Sequence, residues 1–245
     1  FNKKLLPACV FKAANCKKVG DTTVNVPLTK EERQRIAVIF IMAFFVIFFW
    51  SAFEQAGSSL TLFAENSTAR FIPFLNFTVP TTWFQSLNPL FIFVLAPLFS
   101  GLWVWMAEKN AEPSTPLKFV WGLVLVALGF VLMVFAVMAY EKNGAVSMFW
   151  LVGVYLVQTL GELCLAPVGL SLVTKLSPAK FASMLMGTWF IANFVANLVS
   201  GFFAGNYDAM DHKTFFMLPV LTAGGAAILL LLLVKPIKKW MHGIH

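Results

Sequence analysis

The sequence predicts an all-α polytopic membrane protein with six transmembrane helices arranged as a 3+3 inverted repeat. Three observations carry that prediction. The 245 residues are 59% hydrophobic and 12% charged, with a mean hydropathy of +0.80. Soluble domains run near ~45–50% apolar and ~25% charged. The apolar residues also gather into runs long enough to cross a hydrocarbon core, which takes about 20 helical residues at ~1.5 Å each. Finally, fifteen of the eighteen Lys and Arg residues fall in alternate connections: residues 1–35, 106–118, 174–180 and the tail. Only Arg70, Lys142 and Lys213 lie in the others. The positive-inside rule puts the first set, and so both termini, in the cytoplasm.

Taken in order, residues 1–35 read as a basic cytoplasmic linker that ends an interdomain region. Thr29 with Glu32 three residues on resembles a capping box and should start the first helix. The predicted bundle covers 36–234, with a cytoplasmic tail over 235–245. Span one is expected over 36–58, followed by a longer connection over 59–82. Asn66-Ser67-Thr68 and Asn76-Phe77-Thr78 match the glycosylation pattern there, but so short a match reads as loop polarity.

Span two is expected over 84–105 and opens with Asn88-Pro89. Span three, 119–140, holds no charge and reads as a packing helix. Glu141-Lys142-Asn143-Gly144 follows as a tight polar turn. Span four covers 147–173, and span five covers 181–205. Span five is rich in Gly, Ser and Asn, which let helices approach and bond. Span six covers 214–234.

Two carboxylates stand out. Nothing charged lies between Lys142 and Glu162, or between Glu162 and Lys175. An ionised group near mid-bilayer costs about 2.5–3.5 kcal/mol or more, so such residues face cavities or partners. Glu54 occupies the corresponding first helix of the other triplet, nearer the outer side. Trp50 and Gln158 each stand one turn before their glutamate, and the third helix of each triplet is almost purely apolar. Three plus three spans have opposite topology, the layout of an inverted repeat. A carboxylate alternating between a dry site and a cationic partner can take up and release a proton. The plainer reading is a protonated Glu bonded between helices.

Asn88-Pro89 has two readings: a ligand-bonding amide, or an N-cap with Pro at the first helical position. Trp50, Phe53 and Trp189 are candidates to line a cavity, although aromatic residues in such helices are as readily packed or lipid-facing.

Several classes are set aside. The net charge of +7 is spread between apolar runs, so nucleic acid is not an expected partner. Cys9, Cys16 and Cys164 lack metal-finger spacing. No metal cluster, phosphate loop or nucleophile–base set appears, so neither an enzyme nor a cofactor is expected. The chain opens on Phe1 with no apolar signal region, and an upstream part is expected.

Together these residues resemble a family. Phe49-Trp50-x-x-Phe53-Glu54-Gln55-x-Gly57-Ser58, Asn88-Pro89, Gly161-Glu162-Leu-Cys-x-x-Pro167-Val-Gly169-Leu-Ser171, Ser177-Pro178 and Met186-Gly187-x-Trp189-Phe190 are similar, in order and spacing, to motifs of the proton-dependent oligopeptide transporters. These form the peptide-symporter branch of the major facilitator superfamily. The resemblance runs over residues 28–234 and implies the C-terminal six-helix half of that fold. It implies that Glu54 pairs with a first-helix arginine and takes part in proton coupling. It implies that Trp50 and Phe53 line the peptide cavity and that Asn88 bonds the peptide backbone. Glu162 would face the peptide amino terminus and share in coupling, and Trp189 would wall a side-chain pocket. Ala166 departs from the Ser that many bacterial members carry one turn after the tenth-helix Glu.

The expected activity is proton-coupled symport of di- and tripeptides across a bacterial-type inner membrane. The proton is the coupling ion. The expected partners are peptide, protons, the lipid bilayer and the missing N-terminal six-helix bundle. That bundle would carry a Glu-x-x-Glu-Arg motif and the cations that meet the peptide carboxylate. The alternatives are a carrier of the same fold for nitrate or another small solute, and a non-transporting scaffold or channel.

Overall fold

The computed structural model describes residues 28–243. Most of the expected basic linker, Cys9 and Cys16 included, lies outside the described residues. Six helical segments long and apolar enough to cross a membrane are present among those described.

Helix α1, Lys30–Phe53, starts on the expected capping box. The Thr29 hydroxyl accepts from the Glu32 backbone N–H at 3.2 Å, and the Glu32 carboxylate accepts from the Thr29 N–H at 2.8 Å. Two otherwise orphaned donors are thereby satisfied. The chain then tightens into a 3-10 turn, Glu54–Gly57, and resumes as α2, Ser59–Ser67. The expected connection from residue 59 is thus helix at first. The span bends instead of ending, because side chains from other helices satisfy the broken turn. Tyr155 Oη donates to the Ala56 carbonyl at 2.9 Å. The buried Gln55 donates to the Ser200 carbonyl and hydroxyl, both at 3.0 Å. Inside a bilayer such groups have no water to turn to.

Short strands follow at the same end of the bundle. β1, Thr68–Ala69, pairs in parallel with β4, Val146–Ser147. β2, Phe71–Ile72, pairs with β3, Phe77–Thr78, around a turn in which Asn76 takes the left-handed conformation. The Arg70 guanidinium donates to the Val79 carbonyl at 2.9 Å across the hairpin's base. Two-residue strands carry no periodic signal that a sequence reading can find.

After the single turn of α3, Thr82–Gln85, come α4, Leu87–Glu108, and α5, Thr115–Asn143. The Glu141–Asn143 turn proves to be the end of α5, and Gly144 closes it at φ +73°. α6 is Phe149–Leu176 and α7 is Ala182–Ala204. α8, His212–Trp240, continues past residue 234, so Lys235, Lys238 and Lys239 are helical. Lys238 and Lys239 occupy its last turn, where cations suit the helix dipole.

α5 sits at the centre, packed on α6 and α8. α1 packs on α7 and α8, and α4 leans on α6. Exchanging the two triplets maps the α1–α7 contact onto the α4–α6 contact, and the α5–α6 contact onto the α1–α8 contact. The packing therefore repeats the inverted symmetry. α5 and α6 cross at Gly122 and Gly161. A Cβ on Gly161 would stand 2.9 Å from the Gly122 carbonyl oxygen, and small residues are what permit such close backbone approach. Helix α4 is different: none of its residues is buried.

Three substitutions test this packing. Gly161→Val forces the α5–α6 crossing apart and should cost about 1–3 kcal/mol. Gly153→Ala, on the same helix but facing open space, should be neutral or slightly stabilising in the same thermal-unfolding assay. Tyr155→Phe removes the cap on Ala56 and should cost about 0.5–1.5 kcal/mol. Equal melting temperatures for Gly161→Val and Gly153→Ala would refute the close crossing.

Candidate functional site

The site is built where the first turn of α4 meets the middle of α6. Ser86, not Asn88, precedes α4, and Asn88 lies inside the helix. The N-cap reading of Asn88 is therefore set aside, and its amide is free to reach across. Asn88 Nδ2 donates to Glu162 Oε2 at 2.8 Å and to Thr159 Oγ1 at 3.1 Å. Thr159 in turn donates to the Tyr155 carbonyl at 2.7 Å. A single amide thus holds a carboxylate and a hydroxyl of α6, and a hydrogen bond to a charged acceptor is among the stronger kinds.

Glu162 is half-buried, as are Asn88 and Glu54. Glu54 opens the 3-10 turn after α1. Neither carboxylate forms a salt bridge among the described residues. Among the described residues, these two acidic groups therefore have no cation paired with them.

Trp50 and Phe53 come together at the end of α1, with ring centroids 5.3 Å apart and nearly perpendicular. The buried Phe49 backs both, at 5.3 Å from Trp50 and 5.7 Å from Phe53. The i, i+3 and i+4 spacing puts Trp50, Phe53 and Glu54 on one helix face.

Trp189 is placed apart from this group. It is 3% exposed, edge-on to Phe119 at 6.2 Å and pressed onto Gly169. A Cβ on Gly169 would meet its ring at 2.6 Å. Gly169 is two turns beyond Glu162, about 10 Å along the helix, so Trp189 packs against α5 and α6 toward their other end.

Tyr155 and Thr159 were not singled out from the sequence, and Gln55 entered only as part of a motif. One signal was available: Tyr155, Thr159 and Glu162 recur at i, i+4 and i+7, a polar stripe on an apolar helix. Gln158, paired with Trp50 in the sequence comparison of the triplets, faces another way. It is 1% exposed and lies against Gly129. Ala166 is half-buried one turn after Glu162 and brings no hydroxyl there. Among the described residues no cluster of three His, Cys, Asp or Glu side chains could hold a metal. Cys164 is a free, buried thiol.

The arrangement is a polar point inside an apolar bundle, with a carboxylate fixed by an amide, a second carboxylate nearby and an aromatic wall. Such a point can recognise a cationic or amino group.

Comparison with known proteins agrees with this geometry. The PTR2 model, of the POT family, matches residues 7–219. Peptide transporter YePEPT of Yersinia enterocolitica is 41% identical over 225 aligned residues, and the match covers 88% of this chain and 43% of that protein. A di-/tripeptide transporter of Lactococcus lactis subsp. cremoris is 32% identical over 217 residues, again 88% of this chain and 43% of its own length. Among solved structures, a mutant of peptide transporter POT in complex with alafosfalin superposes with a TM-score of 0.78 at 32% identity. That match covers 90% of this chain and 44% of the other. The chain spans under half the length of the relatives it matches. With the family matched over most of its residues and with six apolar spans in the same fold, the chain is a multi-pass membrane protein that belongs to the POT family.

Proposed function

We propose that this chain is the C-terminal six-helix bundle of a proton-coupled symporter for di- and tripeptides and works with an N-terminal bundle. The observation that carries the reading is the Asn88–Glu162–Thr159 point. A zwitterionic peptide needs an anion at its amino end and a cation at its carboxylate. Glu162 offers the first; the other half would offer the second. The Asn88 amide, once released from Glu162, has a donor for a peptide carbonyl and an acceptor for a peptide N–H.

Glu54 carries the coupling in this reading. An unpaired half-buried carboxylate near the outer side can hold a proton until a cation of the other bundle approaches and favours the anion. Glu162, the other carboxylate of the bundle's interior, shares the work in this reading. Trp50 and Phe53 form the apolar wall of the peptide site. Trp189 stands apart from this wall, pressed on Gly169, and takes no direct part in it. No cofactor other than the proton is invoked. The membrane is a bacterial-type inner membrane with both ends of the chain cytoplasmic, supported by the Lys and Arg distribution.

A membrane potential of about 100 mV contributes ~2.3 kcal/mol per proton, roughly a fifty-fold peptide gradient at one proton per peptide. The test uses the full-length protein in liposomes. Dipeptide uptake should rise as the outside is made more acidic. Glu162→Gln should lower uptake by about tenfold or more, since hydrogen bonds to charged groups contribute ~1.5–3 kcal/mol. Glu54→Gln should abolish the response to the pH gradient while peptide counterflow persists. Uptake that ignores the pH gradient, or that nitrate blocks and dipeptides do not, would overturn the reading. Orientation has its own check: a cysteine at Asn110 should label from the cytoplasm, and one at Asn206 from outside.

A further inference from the structure

The β2–β3 hairpin stands at the end of the bundle opposite the start of α1, where α2 gives way to β1. Its foot is fixed. Arg70 bonds the Val79 carbonyl across the base, and Val79 and Phe84 are buried in the core. The β1–β4 pairing ties the chain just before it to the start of α6. Its tip is bare. Phe74 is 94% exposed, and Phe71, Leu75, Phe77 and Trp83 are exposed with it. The Phe77 and Trp83 rings lie 5.5 Å apart, so the apolar surface runs on from the hairpin into α3. Single exposed apolar residues need no account, but a contiguous patch marks a binding surface. None of these five residues belongs to the Asn88–Glu162 site.

Charge separates this connection from the others at the same end. No Asp, Glu, Lys, Arg or His occurs from Phe71 to Ala107, a stretch that takes in the hairpin, α3 and nearly all of α4. The end of α5 carries exposed Glu141 and Lys142, and the α7–α8 junction carries exposed Asp208, Asp211 and Lys213. Those connections are built for water, and the hairpin is not.

The polar groups of the hairpin name the medium. Two-residue strands leave backbone N–H and C=O groups unpaired along their edges, and Asn76 and Thr78 are exposed beside the rings. The hydrocarbon core excludes such edges, and a dry protein contact would have to satisfy each of them. At the membrane–water interface, headgroups and water take the polar groups while aromatic rings lie at the acyl boundary. The level agrees. The 22 residues of α4 cover ~33 Å at ~1.5 Å per residue, about the thickness of the hydrocarbon core. The hairpin lies just before the first turn of that helix.

We infer that the β2–β3 hairpin is an interfacial anchor that seats Phe74 and its neighbours in the lipid leaflet at that end of the bundle. The patch is occupied by the headgroup–acyl boundary, continuous with the lipid around the spans. Through β1 and α2 it ties the bent first span to the membrane surface. The leaflet is the outer one under the orientation proposed above; the anchoring itself does not rest on peptide transport.

The test uses the full-length protein in phospholipid vesicles, with its native cysteines replaced and a nitroxide label at Phe74→Cys. Electron paramagnetic resonance reads collisions with oxygen, which concentrates in lipid, and with a nickel chelate, which stays in water. The label should meet oxygen in preference, at a depth of about 5–10 Å into the headgroup–acyl boundary. A label at Asn143→Cys, exposed at the same end, should meet the chelate freely. Free access of the chelate at both positions would put the hairpin in water and overturn the inference. Suppressed collision with both reagents at Phe74 would mean that protein covers the patch, the N-terminal bundle being the available cover, and would overturn it equally. A nitroxide is itself apolar, so a second variant guards the result. Adding Phe71→Asp and Leu75→Asp should lift the label out, because a desolvated carboxylate is costly, and bring its oxygen-to-chelate ratio within about twofold of the Asn143 value. An unchanged depth would mean that the surrounding fold, and not the hairpin's own chemistry, sets its level, and the anchor assignment would fail.

Discussion

The structure depends on how the break at the end of α1 is satisfied. A helix that bends inside a membrane leaves backbone groups without partners, and lipid cannot supply them. Here α6 supplies the Tyr155 hydroxyl to the Ala56 carbonyl, and the Gln55 side-chain amide of the turn donates to the Ser200 carbonyl and hydroxyl of α7. Ser59 Oγ then donates to Gln55 Oε1 and closes the set. The two triplets are thereby tied at the place where the first of them bends. That bend sets Glu54 at a helix discontinuity instead of within a regular turn, and it continues the chain as α2 toward the β1–β4 pairing at the bundle's end.

A second tie has a different character. α4 buries none of its residues and carries exposed apolar side chains such as Phe93 and Leu98. Its polar link to α6 is the Asn88 amide, which holds Glu162 and Thr159. The rest of the bundle is locked by backbone-close packing, as at Gly122 and Gly161, which tolerates little change. The candidate binding group is thus also the clasp of the most loosely attached helix. A ligand that drew Asn88 away from Glu162 would have to offset the hydrogen bond it breaks, and it would change how α4 is held. Under the proposed function, binding would be coupled to helix position through this one side chain.

Much of the site was legible in the sequence, and the reason differs from residue to residue. Glu162 and Glu54 stood out because charge is costly at membrane depth. Thr29 and Glu32 were legible because a cap is a local device. Asn88 was ambiguous, since an Asn before Pro serves equally as a cap or as a ligand group, and only its hydrogen bonds decide. Tyr155 and Thr159 were passed over because an isolated hydroxyl in an apolar helix carries little signal. Trp189 was expected at a cavity and is found pressed on Gly169, because a tryptophan's neighbours depend on helix rotation.

By itself the sequence determined the number of spans, their approximate limits, the alternation of Lys and Arg that fixes topology, and the family motifs. These are properties of contiguous stretches, governed by the length needed to cross a bilayer and the cost of charge within it. Tertiary structure alone decided the rest. It bent α1 instead of ending it, because Tyr155 and Ser200 come from helices about a hundred residues or more away. It aimed Asn88 at a carboxylate 74 residues further on. It also buried Lys118 beside a cavity whose walls come from four helices. Each of these is a contact between distant segments, set by helix rotation and crossing, which no local pattern of residues encodes.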